Sequence, residues 1–238
     1  MFTKQSQVRR VTRSKADAMA AYDRSSRWYN LTEGIWEKGL RNVALRTLSV
    51  RAGERVLEIG CGPGQDLLAL AGSVSQTGRV YGIDLSSGMA RLAHSGAAKE
   101  GLAHRVDLVQ GDAEFLPFKS RTLDAVLMSF TLELFDTPGI PRVLSNIREV
   151  LCPEGRLCVA SLSKAGRSSW MRNLYERGHD SFPSLLDCRP IFVEASVAEA
   201  GFQILNVTRK SLFGLPVEIV LGSNPDSGRK EPIKAISS

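Results

Sequence analysis

The chain has 238 residues, 43% of them hydrophobic, enough to bury a full core, so its simplest organisation is one α/β domain with terminal extensions. No run approaches the roughly 18 apolar residues of a membrane-spanning helix and no apolar leader opens the chain, so the expectation is a soluble, cytoplasmic protein. A net charge of +6 and a pI near 9.3 would suggest a nucleic-acid partner only if the charge were spread over the fold. It is concentrated instead: residues 1–15 hold Lys4, Arg9, Arg10, Arg13 and Lys15 with no acid, which leaves 26 basic and 25 acidic residues for the rest. Residues 1–15 therefore read as a basic arm and a solvated tail. No nucleic acid is favoured as a partner, and peripheral contact with an anionic membrane surface is the alternative use of that charge.

Residues 16–50 read as two helices. Trp36, Leu40, Val43, Ala44 and Leu48 recur at steps of three and four, with Thr32 and Glu33 ahead of them as a start. Before these, Tyr22-Asp23 and Trp28-Tyr29-Asn30 form an aromatic cluster. The stretch Arg55-Val56-Leu57-Glu58-Ile59-Gly60-Cys61-Gly62-Pro63-Gly64 then runs a short strand into three glycines at alternate positions. Glycine there permits positive φ and close approach of the backbone to a bound molecule. Leu67, Leu70, Ala71 and Val74 follow at helical spacing, so the loop opens a helix with free N–H donors.

The dinucleotide fingerprint Gly-x-Gly-x-x-Gly is not met, because Gln65 stands where its third glycine belongs. Glu58, two residues before the first glycine, would repel a pyrophosphate but accept hydrogen bonds from a cationic amino group. Glu58 to Gly64 resembles the first motif of the class I S-adenosylmethionine (SAM) dependent methyltransferases, Glu/Asp-x-Gly-x-Gly-x-Gly. The resemblance implies SAM as cofactor, with Glu58, Gly60, Cys61, Gly62 and Gly64 lining its amino-acid end. The Tyr22-Asp23 region likewise resembles the opening of the quinone-biosynthesis branch of that family, which implies that residues 16–50 form lid helices over the cofactor. Ordinary aromatic packing is the alternative.

From residue 54 onward strand and helix patterns alternate, implying a doubly wound, mostly parallel sheet with helices on both faces. The strand Arg79–Asp84 ends in an acid 20 residues after Gly64, a spacing at which a carboxylate at a strand end can accept both ribose hydroxyls. Asp84 is thus a candidate ribose ligand. By resemblance Leu85 and Met89 lie near the adenine, although Met89 also fits the core face of the next helix. The strand Val106–Gln110 leads to Gly111-Asp112-Ala113-Glu114-Phe115-Leu116-Pro117-Phe118, which resembles the family's third motif. Asp112 offers an acceptor and the Ala113 N–H a donor, a pair that matches adenine. A fourth strand, Leu123–Phe130, would point Ser129 toward the transferred methyl. It lacks the Asn/Asp-Pro-Pro-Tyr/Phe of nucleobase methyltransferases, and Leu132-Glu133-Leu134 departs from the Leu-Arg-Asn of the quinone branch.

Ile140, Val143, Leu144, Ile147, Val150 and Leu151 form an amphipathic helix that stops at Pro153. Cys152-Pro153-Glu154-Gly155 reads as a turn, and Leu157–Leu162 as a fifth strand. Residues 163–190, with Trp170, Tyr175, His179 and Phe182, read as a substrate cap. Two last strands, Phe202–Val207 and Pro216–Leu221, complete by resemblance a seven-stranded Rossmann-like sheet. The expected methyltransferase domain is 16–222, with 223–238 as a disordered tail. The four cysteines (Cys61, Cys152, Cys158 and Cys188) show no Cys-x-x-Cys spacing, so no metal or disulfide is assigned. The expected activity is SAM-dependent methylation of a small-molecule acceptor (quinol-like, lipid or another metabolite), at carbon or oxygen. Glu133 and His179 are the candidate general bases. A nicotinamide-dependent oxidoreductase would share the sheet and Asp84 but have no use for Glu58, and a non-catalytic binding protein on this fold is the other alternative.

Overall fold

The computed structural model describes residues 8, 10–11, 14–25, 34–165 and 189–225. In chain order these form α1 (Lys15–Ser25), α2 (Gly34–Leu48), β1 (Arg55–Ile59), α3 (Gln65–Ser73), β2 (Arg79–Asp84), α4 (Ser87–Lys99), β3 (Val106–Gln110) and β4 (Leu123–Ser129). They continue as α5 (Gly139–Val150), β5 (Leu151–Leu162), α6 (Val193–Glu199), β6 (Gln203–Leu212) and β7 (Leu215–Ser223). The strands build one seven-stranded sheet in the order β3-β2-β1-β4-β5-β7-β6. Strands β1 to β5 are parallel to one another, and β7 runs antiparallel to both β5 and β6.

Central strands covered on both faces must be apolar on both, which is why β4 reads as the near-continuous run Leu123 to Met128. Its alternation divides the core. Val126 and Met128 join Leu57, Ile59, Leu157, Val159 and the α5 stripe of Ile140, Val143, Leu144, Ile147 and Val150. Ala125 and Leu127 join Val56, Val80, Cys158, Ala160 and the α2 residues Leu40, Ala44 and Leu48 on the opposite face. Because β1 has β2 on one side and β4 on the other, the winding direction reverses between β1 and β4. In such sheets the crevice at the carboxyl ends of those strands is where ligands sit.

Three parts of the fold differ from expectation. Strand β5 begins at Leu151 rather than Leu157: Leu123 pairs with Leu151 and Ala125 with Arg156, so the anticipated Cys152–Gly155 turn is a bulge inside the strand, with Glu154 at φ 61°. Helix α6 was not anticipated. Its seven residues bury only Val193, Ser196 and Val197, too short a repeat for periodicity to resolve. The domain also does not stop at 222. Ser223 closes β7, and the Asn224 side chain donates to the carbonyls of Arg148 (3.1 Å), Leu151 (3.1 Å) and Cys152 (3.3 Å).

The described part of the basic arm is not a solvated tail. Val8 is buried with the core, the Arg10 guanidinium donates to Asp136 at 2.6–2.9 Å, and the Val11 N–H donates to the same carboxylate at 3.0 Å. Trp170, Tyr175, His179 and Phe182 of the expected cap lie outside the described residues, as do Trp28-Tyr29-Asn30 and residues 226–238.

Candidate active site

Each of the first three strands delivers a carboxylate to the same edge of the sheet. After Ile59 the chain turns at Gly60 (φ 69°), whose N–H donates to the Ile83 carbonyl at 2.8 Å and ties the loop to β2. A Cβ at Gly60 would lie 2.4 Å from Thr131 Cγ2, so both φ and space require glycine. Gly64 (φ 87°) opens α3 in the left-handed region, and a Cβ there would come within 2.8 Å of Ala93. Gly62 is different: at φ 50° a Cβ would meet nothing within 4 Å. The loop is closed on two sides and open on the third. Cys61 is buried between them, where burial pushes its thiol well above the ordinary range.

Asp84 braces this loop. Its Oδ2 accepts the Gly62 N–H at 2.8 Å and its Oδ1 the Ser86 N–H at 2.8 Å. Burial raises its pKa, the two N–H donors pull it back, and the nearby Asp23 charge adds a further push upward. Asp23 is brought there by α1. It accepts from the Ser86 hydroxyl at 2.5 Å and the Gly88 N–H at 2.8 Å, and these bonds hold it below the usual carboxylate range. Thus α1 lies against the start of α4. Ser86 is the N-cap of α4, accepting from the N–H of buried Met89 at 3.1 Å. The Leu85 carbonyl, just before it, takes a bond from the Gln110 side chain at 3.2 Å.

At the end of β3, Asp112 accepts the Glu114 N–H at 3.0 Å, and beside it Ala113 is buried. Lys15 reaches across from α1 to donate to Asp112 at 2.5 Å and Glu114 at 2.8 Å. The arm therefore touches the very group expected to read adenine.

Behind the glycine loop lies a buried ionic cluster. Glu58 is 3% exposed and its Oε2 has no hydrogen-bond partner. Burial pushes its pKa well up, Asp66 and Asp84 push the same way, and Arg41 opposes them. Asp66 is buried in the first turn of α3 and faces Arg41 Nε at 3.4 Å; burial raises its pKa, and Arg41 and the Ser129 hydroxyl lower it. The Ser129 hydroxyl nonetheless falls short of a full hydrogen bond and is itself buried without a partner. Sequence reasoning missed Arg41 and Asp66. The signal for Arg41 was present: it falls three residues before Ala44 and seven before Leu48, on the buried stripe of α2.

Glu133 sits in the short 3-10 turn Leu132–Leu134 after β4. It is fully buried, its Oε1 accepts the Leu162 N–H at 3.3 Å, and its Oε2 is unpartnered. Burial lifts its pKa to about 7 against its own and the Leu162 N–H and the Ser161 hydroxyl, with Glu37 of α2 adding repulsion. The structure thus brings Glu58, Gly60, Cys61, Gly62, Gly64, Asp84, Leu85, Met89, Asp112, Ala113, Ser129 and Glu133 to one edge of the sheet. His179 lies outside the described residues.

A 3-2-1-4-5-7-6 sheet whose first strand ends in an acid and a three-glycine turn, and whose next two strands end in acids, defines the class I methyltransferase architecture. Residues 56–155 match the methyltransferase domain family. The chain is 29% identical over 204 residues to a demethylmenaquinone methyltransferase of Symbiobacterium thermophilum, covering 74% of this chain and 80% of that one. A demethylmenaquinone methyltransferase of Lactobacillus johnsonii is 33% identical over 54% of this chain, which spans about half, 52%, of that relative's length. In fold it is similar to the crystal structure of the [4+2]-cyclase SpnF, with a TM-score of 0.71, 20% identity, and 90% of this chain and 97% of that one covered. At that identity the likeness is one of fold alone.

Proposed function

We propose that this protein binds SAM at the glycine loop and transfers its methyl group to a small-molecule acceptor, a quinol, lipid or related metabolite, at carbon or oxygen. Glu58 carries the proposal. A fully desolvated carboxylate with an unpartnered oxygen is costly unless a cation joins it, and the ammonium of the cofactor's amino-acid end is that cation. The residues fit the group in three further ways. Gly62 leaves open space where any side chain would intrude. Asp84 spends one acceptor site per oxygen on the loop and keeps others for two ribose hydroxyls. Asp112 and the Ala113 N–H match the amino group and a ring nitrogen of adenine.

When bound, SAM supplies a methyl group already activated on a positively charged sulfur. The chain's task is therefore mainly alignment, which can contribute roughly 7–11 kcal/mol. On this reading Ser129, at the end of β4, and Glu133, in the turn that follows it, serve the acceptor side. A carboxyl poised near pKa 7 can take a proton from a hydroxyl or an enolisable carbon, a step that adds roughly 10²–10⁴-fold. The names of the curated relatives support a reduced quinone as acceptor; Leu132-Glu133-Leu134 departs from that branch, which keeps other hydroxylated or lipid acceptors open.

The test is product formation from SAM and a panel comprising a reduced naphthoquinone, a catechol and a prenyl diphosphate, with release of S-adenosylhomocysteine measured. Transfer to one of them, fastest for the naphthoquinol, is expected. Tight binding of SAM with no transfer to any acceptor would overturn the enzymatic proposal in favour of a binding role.

A further inference from the structure

We propose that Arg41, on the helix that covers the site, grips the carboxylate of the cofactor's amino-acid end, so that Glu58, Asp66 and Arg41 together form a receptor for a zwitterion. This rests on the SAM reading given above and names the residue that makes it selective.

Along α2, Glu37, Arg41, Ala44 and Leu48 follow at steps of four, three and four, which places them on one face. Ala44 and Leu48 are fully buried, so that face is the inward one. Arg41 is aimed into the fold rather than at solvent, with its side chain 15% exposed. What it meets there does not satisfy it. Nε lies 3.4 Å from Asp66 Oδ1, close enough to attract, yet it is buried with no hydrogen bond of adequate geometry. Glu58 is repelled by Asp66 and attracted by Arg41, so the three charges share one neighbourhood. Glu58 Oε2, Arg41 Nε and the Ser129 hydroxyl are all buried and unpartnered there.

The placement of charges, not their sum, then selects the ligand. The unpartnered Glu58 oxygen is a place for an ammonium, while a zwitterion leaves the total charge of the cluster unchanged. An α-amino-acid head group also brings a carboxylate. Among Glu58, Asp66 and Asp84 that carboxylate would meet only repulsion, and Arg41 is the cation that accommodates it. A guanidinium has five N–H donors in a fixed fork, so Asp66 can hold one edge while another is offered to the ligand. Asp66 is then a positioning residue for Arg41.

The experiment is a titration of S-adenosylhomocysteine and of its decarboxylated counterpart, S-adenosyl-3-thiopropylamine, which keeps the nucleoside, the thioether sulfur and the amine but lacks the carboxylate, against wild type and Arg41→Met. Wild type should prefer the carboxylate-bearing ligand by at least about tenfold, the size of one charge-assisted hydrogen bond. Arg41→Met should lose roughly ten- to hundredfold for S-adenosylhomocysteine and less than about threefold for the decarboxylated ligand. Equal losses for both ligands would assign Arg41 a purely structural role and overturn the proposal, as would equal wild-type affinity for the two. Should Arg41→Met not fold, Arg41→Gln, which keeps length and polarity, takes its place with the same expected split. If wild type binds neither ligand, the SAM reading itself fails, an outcome distinct from loss of the Arg41 effect.

Discussion

On the β1 side of the sheet, Glu58 Oε2, Gln65 Oε1, Arg41 Nε and Ser129 Oγ are buried without hydrogen-bond partners. On the β5–β7 side, Asn224 donates to three carbonyls, and its main chain pairs with Glu154 and Gly155 at 2.8 Å each. Even Glu218, buried on β7 with one oxygen unpartnered, has Arg209 at 3.2 Å on the other. Buried polar groups are ordinarily satisfied, and a cluster that is not marks a place where something else completes it. The parallel half is organised for a ligand, and the antiparallel half for holding the sheet together. Changes in the first half should cost binding and spare stability, and changes in the second should do the reverse.

The largest expected effect is at Asp84. Losing the acceptor for two ribose hydroxyls, at roughly 1.5–3 kcal/mol each, should weaken S-adenosylhomocysteine by about a hundredfold in Asp84→Ala. Stability should fall less than affinity: the Gly62 and Ser86 N–H groups lose their acceptor, but the same substitution removes a buried carboxylate whose charge burial disfavours. Calorimetric titration beside thermal melting measures both. A large drop in Tm with affinity intact would erase the contrast between the halves.

Glu133 lies where the halves meet, between the ends of β4 and β5, and pH reveals which role dominates. Its folded pKa of about 7 is above its unfolded value of 4.5, so the folded protein holds this proton more tightly. The contribution to stability is fully present below about pH 4.5 and is lost as pH rises through about 7. The full span is about 3 kcal/mol. Denaturant unfolding at a series of pH values should show this fall in wild type and not in Glu133→Gln. If Glu133 is also the base, the methyl-transfer rate should rise with pH through an apparent pKa near 7, and Glu133→Gln should abolish that limb. A stability effect with an unchanged rate profile would leave it structural.

What the sequence disclosed follows the same division. Strand ends β1, β2 and β3 were legible because a buried parallel strand is an apolar run and its ligand end must carry glycine or an acid, as Gly60, Asp84 and Asp112 do. Arg41 was legible only through its place on the apolar stripe of Ala44 and Leu48, and Asp66 not at all, since an acid in the first turn of a helix looks the same facing in or out until its neighbours are placed. The β5 bulge hid behind Pro153 and Gly155, which mark a turn locally and gain a strand's pairing only from β4 and β7. Asn224 gave no signal at all: its worth comes from carbonyls 72–76 residues away in the chain.

Asn224→Ala should therefore be the mirror of Asp84→Ala. It strips hydrogen bonds from the carbonyls of Arg148, Leu151 and Cys152 where α5 meets the β5 bulge, at a cost of about 1–3 kcal/mol. For a domain of this size that is a fall in Tm of roughly 2–10 °C. Affinity for S-adenosylhomocysteine should stay within about twofold. A matching loss of affinity would show that the clasp and the cofactor edge are coupled through β5.

The smallest effect is expected from deleting residues 1–12. Burial of Val8 is worth roughly 1.5–3 kcal/mol, but holding several arm residues in place costs about 1–2 kcal/mol each in backbone entropy. The exposed Arg10–Asp136 pair adds little against that, so the two sides nearly cancel. Lys15 remains in the truncated chain to pair with Asp112 and Glu114, so cofactor affinity should hardly move. The arm's remaining use is an anionic surface, and Arg10 and Lys15 are already engaged with carboxylates of the same chain, which argues against it. Thermal melting should register a shift under about 2 °C, and sedimentation with acidic vesicles should be equal for both forms. A large, salt-sensitive loss of vesicle binding on deletion would instead assign the arm to a membrane, and a Tm drop beyond about 5 °C would make it a structural part of the parallel half.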